Sequence, residues 1–133
     1  MSRSLLALCF VVAAPLAARA DDAQVSEGQK LYAEHCASCH GDNGEGSKKA
    51  PPVVGKTALP LDPPATAKKR KTQFHTAKDV YDFVSKNMPA KKPGSLKPDE
   101  YLAILAFDLK ANGVDMSKTK LDAASAEKIV LHP

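Results

Sequence analysis

The run Cys36-Ala37-Ser38-Cys39-His40, followed at once by Gly41, holds the side chains of this sequence best suited to chemistry. On a helical turn, Cys36 and Cys39 stand three residues apart on one face, and His40, four residues after Cys36, lies beside them. Two thiols so spaced can each add to a vinyl group of one porphyrin, and the imidazole then reaches the iron from one side of the ring. C-x-x-C-H is the c-type haem attachment signal. Other uses of the pair fit less well. A redox-active C-x-x-C of the thioredoxin kind follows a strand in a βαβ unit, whereas the residues before Cys36 read as a polar amphipathic helix. A structural zinc ion needs about four Cys or His ligands, and no second pair exists. A disulfide between Cys36 and Cys39 leaves His40 without a task.

An iron held by His40 takes a second axial ligand or keeps an open position, and that choice separates electron carriers from catalysts and gas binders. Met88, between Asn87 and Pro89, can present its thioether from a loop instead of losing it in a helix face. Met/His ligation raises the reduction potential. Met116 is the next sulfur, set among polar residues beyond the last main helix and expected at the surface. His35, His75 and His132 are the imidazoles that bis-histidine ligation would draw on. His35 shares a helix with the motif, and His75 stands beside a helix start.

The elements that must position these groups read as helices. Residues 22–36 carry acids at their start, which suits the helix dipole, and Val25, Gly28, Leu31, Tyr32 and His35 at helical spacing. Gly28 inside a helix is expected where another helix crosses closely. The glycine-rich run from Gly41 to Gly46 leaves the motif sharply and forms a turn around the haem edge. Ala50-Pro51-Pro52-Val53-Val54-Gly55 is stiff and extended, and a backbone carbonyl there can accept the second imidazole hydrogen of His40. Residues 56–75, rich in Pro and Lys, form loop. Thr76 with Asp79 makes a capping box for a helix that carries Val80, Tyr81, Phe83 and Val84 inward and stops at Met88-Pro89. A last strong helix opens on Pro98-Asp99-Glu100 and runs to about residue 111, before Asn112-Gly113. A short helix is expected over 123–130.

The chain has 133 residues and begins Met1-Ser2-Arg3-Ser4, then an apolar run from Leu5 to Ala14, then Ala18-Arg19-Ala20 before Asp21. That is the pattern of a signal peptide over residues 1–20 cleaved after Ala20, and the apolar run is shorter than the roughly 20 residues of a spanning helix. Residues 21–133 then form one domain with an extra tail from about 114, exported to the periplasm, with no integral membrane segment after cleavage. Without Trp and with few aromatics, the domain would have a thin core unless a porphyrin filled it. Lys48, Lys49, Lys86, Lys91 and Lys92 flank the haem-binding stretches and make a basic rim suited to an acidic partner. The run Lys68-Lys69-Arg70-Lys71 lacks interleaved stacking aromatics, and with an export signal it does not point to nucleic acid.

Taken together, Gly28-x-x-x-Tyr32, Cys36-x-x-Cys39-His40-Gly41, Gly44-x-Gly46, Ala50-Pro51-Pro52-x-x-Gly55, Asn87-Met88-Pro89 and Leu96-x-Pro98-x-Glu100-Tyr101 before Ala106-Phe107 resemble a class I c-type cytochrome of the small bacterial periplasmic monohaem type. The resemblance covers nearly all of the mature chain up to Gly113. It implies an all-α cytochrome c fold with crossed N- and C-terminal helices, Gly28 meeting the helix face around Phe107, around one haem c bound covalently through Cys36 and Cys39. It also implies His40 and Met88 as axial ligands, with the Pro52 carbonyl holding His40. The residues after Met88-Pro89 are similar to cytochrome subunits or domains that accompany periplasmic dehydrogenases. The expected role is one-electron transfer, not catalysis, from a periplasmic dehydrogenase to an acceptor such as a terminal oxidase or another cytochrome. A haem subunit fixed in a dehydrogenase complex, and a haem enzyme or gas sensor with a displaceable Met88, are the alternatives. The segment 57–72 and the tail after Gly113 depart from the simplest members.

Overall fold

Helix α4 (Pro98–Ala111) is the centre of the molecule. Its sequence is apolar on almost every side, and Tyr101, Leu102, Ala103, Ile104, Leu105, Ala106 and Leu109 are all buried. A helix apolar all round must be covered all round, and three parts of the chain supply the cover: α1 (Ala20–His35), α3 (Ala77–Asn87), and the tail with α5 (Ala123–Lys128). The single turn α2 (Ala37–His40) carries the cysteine and histidine motif. This computed structural model describes residues 20–118 and 120–132, so the expected signal peptide lies outside the described residues except for Ala20, the first residue of α1. The described residues are helical apart from loops and one antiparallel bridge between Thr76 and Val130.

The crossing of α1 and α4 depends on a missing side chain. A Cβ added at Gly28 would stand 1.8 Å from the carbonyl oxygen of Ala103, far inside contact distance. Gly28 therefore meets Ala103, one turn before the Phe107 face that the resemblance implied. Phe107 is taken instead by Tyr32, one turn further along α1, with ring centroids 5.4 Å apart and planes inclined at 50°. The Tyr32 hydroxyl donates to Gly41 O at 2.8 Å, so the same residue ties the helix crossing to the exit from the motif.

Helix α3 starts on the expected capping box: Thr76 accepts from the Asp79 N–H through its side chain, and Asp79 Oδ2 accepts from Thr76 N at 2.8 Å. It ends at Met88, whose N–H donates to Val84 O at 2.9 Å. Phe74, Ala77 and Val80 meet Leu102, Leu105, Ala106 and Leu109 of α4 in one core.

The tail belongs to that core. Met116, expected at the surface, is 6% exposed, and Leu121 and Ala126 are buried beside it. The chain turns back over α4 after Gly113, and buried Gln24 of α1 holds it there. The Gln24 side chain donates to Leu121 O at 2.9 Å and accepts from Leu121 N at 2.7 Å. The expected tail helix is shorter than 123–130, because the residues after Lys128 turn extended and bond back to the start of α3, with Ala77 N donating to Ile129 O and Leu131 N to His75 O. The 57–72 segment is loop, as read, but Arg70 turns inward. It is 6% exposed, donates to the carbonyls of Pro60, Leu61 and Thr72, and lies 3.4 Å over the Phe74 ring.

Candidate haem site

Cys36 follows directly on α1 and opens α2, so the long helix aims the motif. The Cys36 N–H completes the α1 ladder on Tyr32 O at 2.8 Å, and its own carbonyl accepts from Cys39 N at 3.1 Å and His40 N at 3.0 Å. Cys36 and Cys39 thus sit on one tight turn, both half-buried and both free thiols. Burial first, then the Asp108 carboxyl and Cys39, push the Cys36 thiol up to about 12. An apolar surrounding that keeps a thiol neutral is also one in which a thioether is at ease.

His40 is fixed from the loop that follows. Its Nδ1 lies 2.7 Å from Pro51 O. The carbonyl is that of Pro51, one residue before the Pro52 that the resemblance implied. The register of this strand-like stretch is set by Gly44, whose carbonyl accepts from both Val53 N at 2.8 Å and Val54 N at 2.9 Å. Gly44 can sit there only without a side chain: its φ is +77°, and a Cβ would stand 2.6 Å from a methyl of Val54. With Nδ1–H donating to Pro51, the imidazole lone pair is left on Nε2, the tautomer that a metal-binding histidine needs.

Asn112, read in the sequence only as a helix stop, fastens that loop to the end of α4. Its Nδ2 donates to Val53 O at 2.8 Å, and its Oδ1 accepts from Gly55 N at 3.0 Å. Tyr101, also on α4, does the same for the methionine loop, its hydroxyl donating to Met88 O at 2.6 Å and lying 3.3 Å from Leu96 N. Asn112 read as a helix stop and Tyr101 as one residue of the family pattern, and nothing in their spacing marked these bonds. Met88 itself is extended and half-buried at the end of α3.

The other residues considered as ligands are employed elsewhere. Met116 is in the core, His35 lies 3.7 Å from Glu34, His75 is exposed beside Gln73, and His132 is 2.9 Å from Leu59 O. A further residue went unread in the sequence: Asp108 of α4, whose Oδ1 is sealed from solvent with no hydrogen-bond partner among the described residues. The donor set fits a c-type haem: two unbridged thiols on one turn, an imidazole pinned through Nδ1 with Nε2 left over, and a thioether held on an anchored loop.

Residues 23–107, well over half of the chain, match the family model described as cytochrome C oxidase, cbb3-type, subunit III. A thiosulfate dehydrogenase of Stutzerimonas stutzeri (strain A1501) is 30% identical over 88 residues, which make up 62% of this chain and 26% of that protein. Among solved structures, the sulfane dehydrogenase SoxCD from Paracoccus pantotrophus matches with a TM-score of 0.62 and 33% identity, over 80% of this chain and 52% of that one. The thiosulfate dehydrogenase TsdBA from Marichromatium purpuratum matches at 30% identity with a TM-score of 0.45, over 63% of this chain and 17% of that one. The chain therefore spans about a quarter of its curated relative and about half of the matched SoxCD chain. By its family match, its helical fold and its donor set, this chain belongs to the c-type cytochrome family described by the cbb3-type subunit III model, with one covalently bound haem c.

Proposed function

We propose that the chain, after export and cleavage of residues 1–20, is a periplasmic one-electron carrier. Cys36 and Cys39 hold the haem through thioethers, and His40 and Met88 close the two axial positions. The haem supplies the one-electron couple; the protein supplies everything that keeps the change small. The observation that carries the reading is the His40 Nδ1 bond to Pro51 O, which fixes the ring and its tautomer next to two unbridged thiols. Tyr101, by bonding Met88 O, holds the methionine loop against α4 and supports a thioether that stays in place. Two occupied axial positions leave no room for substrate, so the chain transfers electrons and does not itself turn over a substrate.

The relatives are dehydrogenases of thiosulfate and of sulfane sulfur, and they support a periplasmic sulfur-compound dehydrogenase as the donor. The acceptor is a terminal oxidase or another cytochrome. A second reading, the haem subunit of such a dehydrogenase held in a fixed complex, is favoured by the SoxCD match, whose chain is about twice the length covered here. Co-purification with a catalytic subunit from the native periplasm separates the two.

The oxidised holoprotein is expected to show the sulfur-to-iron charge-transfer absorption band, and Met88→Ala to lose it while keeping covalent haem. A wild-type spectrum without that band would sink the carrier reading and favour an open iron of the enzyme or sensor kind.

A further inference from the structure

We propose that Asp108 is the proton-linked residue of this electron carrier: it takes up a proton from solvent when the iron is reduced and gives it back when the iron is oxidised. The inference rests on the reading that haem is attached at Cys36. Asp108 follows Phe107, on which Tyr32 packs where α1 crosses α4, and its charge acts on both Tyr32 and Cys36. Its Oδ1 is shut off from solvent and has no partner among the described residues. Asp108 is half-buried overall, but a carboxyl with one oxygen sealed from water and unpaired is costlier as an anion than as an acid.

The titratable groups that face it are Tyr32 and Cys36, on and at the end of α1; both feel its charge. Asp42 and Glu45 of the glycine-rich loop act on Tyr32 and add negative charge to the same corner. Lys110, the next base on α4, points to Asp22 at 3.6 Å. None of the three parts of the chain that cover α4, namely α1, α3 and the tail with α5, brings a charge that relieves Asp108: burial alone raises its pKa, to about 8. Thioether formation removes the Cys36 thiol, and Tyr32 stays neutral at any ordinary pH, its pKa raised further by burial. Asp108 is then the group in this corner whose carboxyl pKa is raised by burial toward neutral pH.

The coupling follows from charge. The oxidised iron carries one more positive charge than the reduced iron, so the carboxylate is favoured in the oxidised protein and the neutral acid in the reduced one. One electron arrives from the redox partner and up to one proton from water, the proton ending on an Asp108 oxygen. The equilibrium constant for reduction then falls as pH rises, by at most about tenfold per pH unit, over the range between the two pKa values of Asp108.

The test uses the holoprotein, with haem content first established by absorbance and by mass. A colourless product without the added mass overturns the functional reading and this inference with it. In haem-loaded protein, potentiometric titration from about pH 6 to about pH 10, bracketing the raised Asp108 pKa, is expected to give a potential that falls with pH in the wild type and is flat in Asp108→Asn. Redox-difference infrared spectra of the wild type provide a readout that needs no variant to fold: a protonated-carboxyl stretch is expected to appear on reduction near the upper end of that range. A wild-type potential independent of pH, a slope unchanged in Asp108→Asn, or a reduced-minus-oxidised spectrum without that carboxyl band overturns the proposal while leaving the carrier intact.

Discussion

The Asp108 carboxyl on α4 makes the stability of the fold depend on pH. Burial holds the Asp108 proton far more tightly in the folded protein than in the unfolded chain, where the group returns to its ordinary value near 3.8. Because the folded pKa is the higher one, the contribution to stability is complete below about pH 4. It is lost progressively as pH rises toward the folded value of about 8. The slope is at most about 1.4 kcal/mol per pH unit. Urea denaturation of the wild type is therefore expected to show a falling midpoint between about pH 5 and about pH 8, and Asp108→Asn, which cannot ionise, to flatten that decline. Equal pH dependence in the two proteins would show that Asp108 is not held protonated. Nothing in the sequence announced this. An Asp between Phe107 and Leu109 reads as the wet edge of an amphipathic helix, and its nearness to Tyr32 and Cys36 appears only once the chain is folded. The motif residues were legible for the opposite reason: a C-x-x-C-H spacing carries its chemistry within five residues, with no need for a distant partner.

At the scale of the elements, the α1–α4 crossing is the joint from which the haem motif is hung. In Gly28→Ala the new methyl meets the Ala103 carbonyl, a backbone atom in the middle of a buried helix that cannot swing aside. Overpacking of that sort costs about 1–3 kcal/mol or more, measurable as a lowered denaturation midpoint of the holoprotein; an unchanged midpoint would mean the helices do not cross there. Tyr101→Phe acts on the other side of the site. It removes the donor to Met88 O and about 1 kcal/mol of hydrogen bonding. The charge-transfer band is expected to survive at room temperature and to be lost on heating before it is lost in the wild type. The helices themselves were readable from local signals: Thr76 with Asp79 at the start of α3, Met88-Pro89 at its end, Pro98 with Glu100 at the start of α4. What escaped was register between elements. The choice of Pro51 over Pro52 is made by Gly44 accepting from Val53 and Val54, and the choice of Ala103 as the partner of Gly28 by where two helices come to rest. Neither is encoded within one stretch of sequence.

Over the whole molecule, Lys48, Lys49, Lys86, Lys91 and Lys92 are all exposed, as the rim reading required, while Arg70 of the 68–71 basic run is spent inside its own loop. Exposed positive charge speeds encounter with an acidic partner, and salt screens it over about 8 Å at physiological ionic strength. The second-order rate with a purified physiological donor is expected to drop as ionic strength rises; a rate insensitive to salt would remove the steering role. The tail was the least readable part, because Met116, Leu121 and Ala126 are too sparse to form a pattern and gain their meaning only by folding back on α4. Gln24, near the start of α1, grips Leu121 by both its amide and its carbonyl across 97 positions of sequence. The first helix therefore gains this buried polar partner only when the segment around Leu121 has folded back over α4.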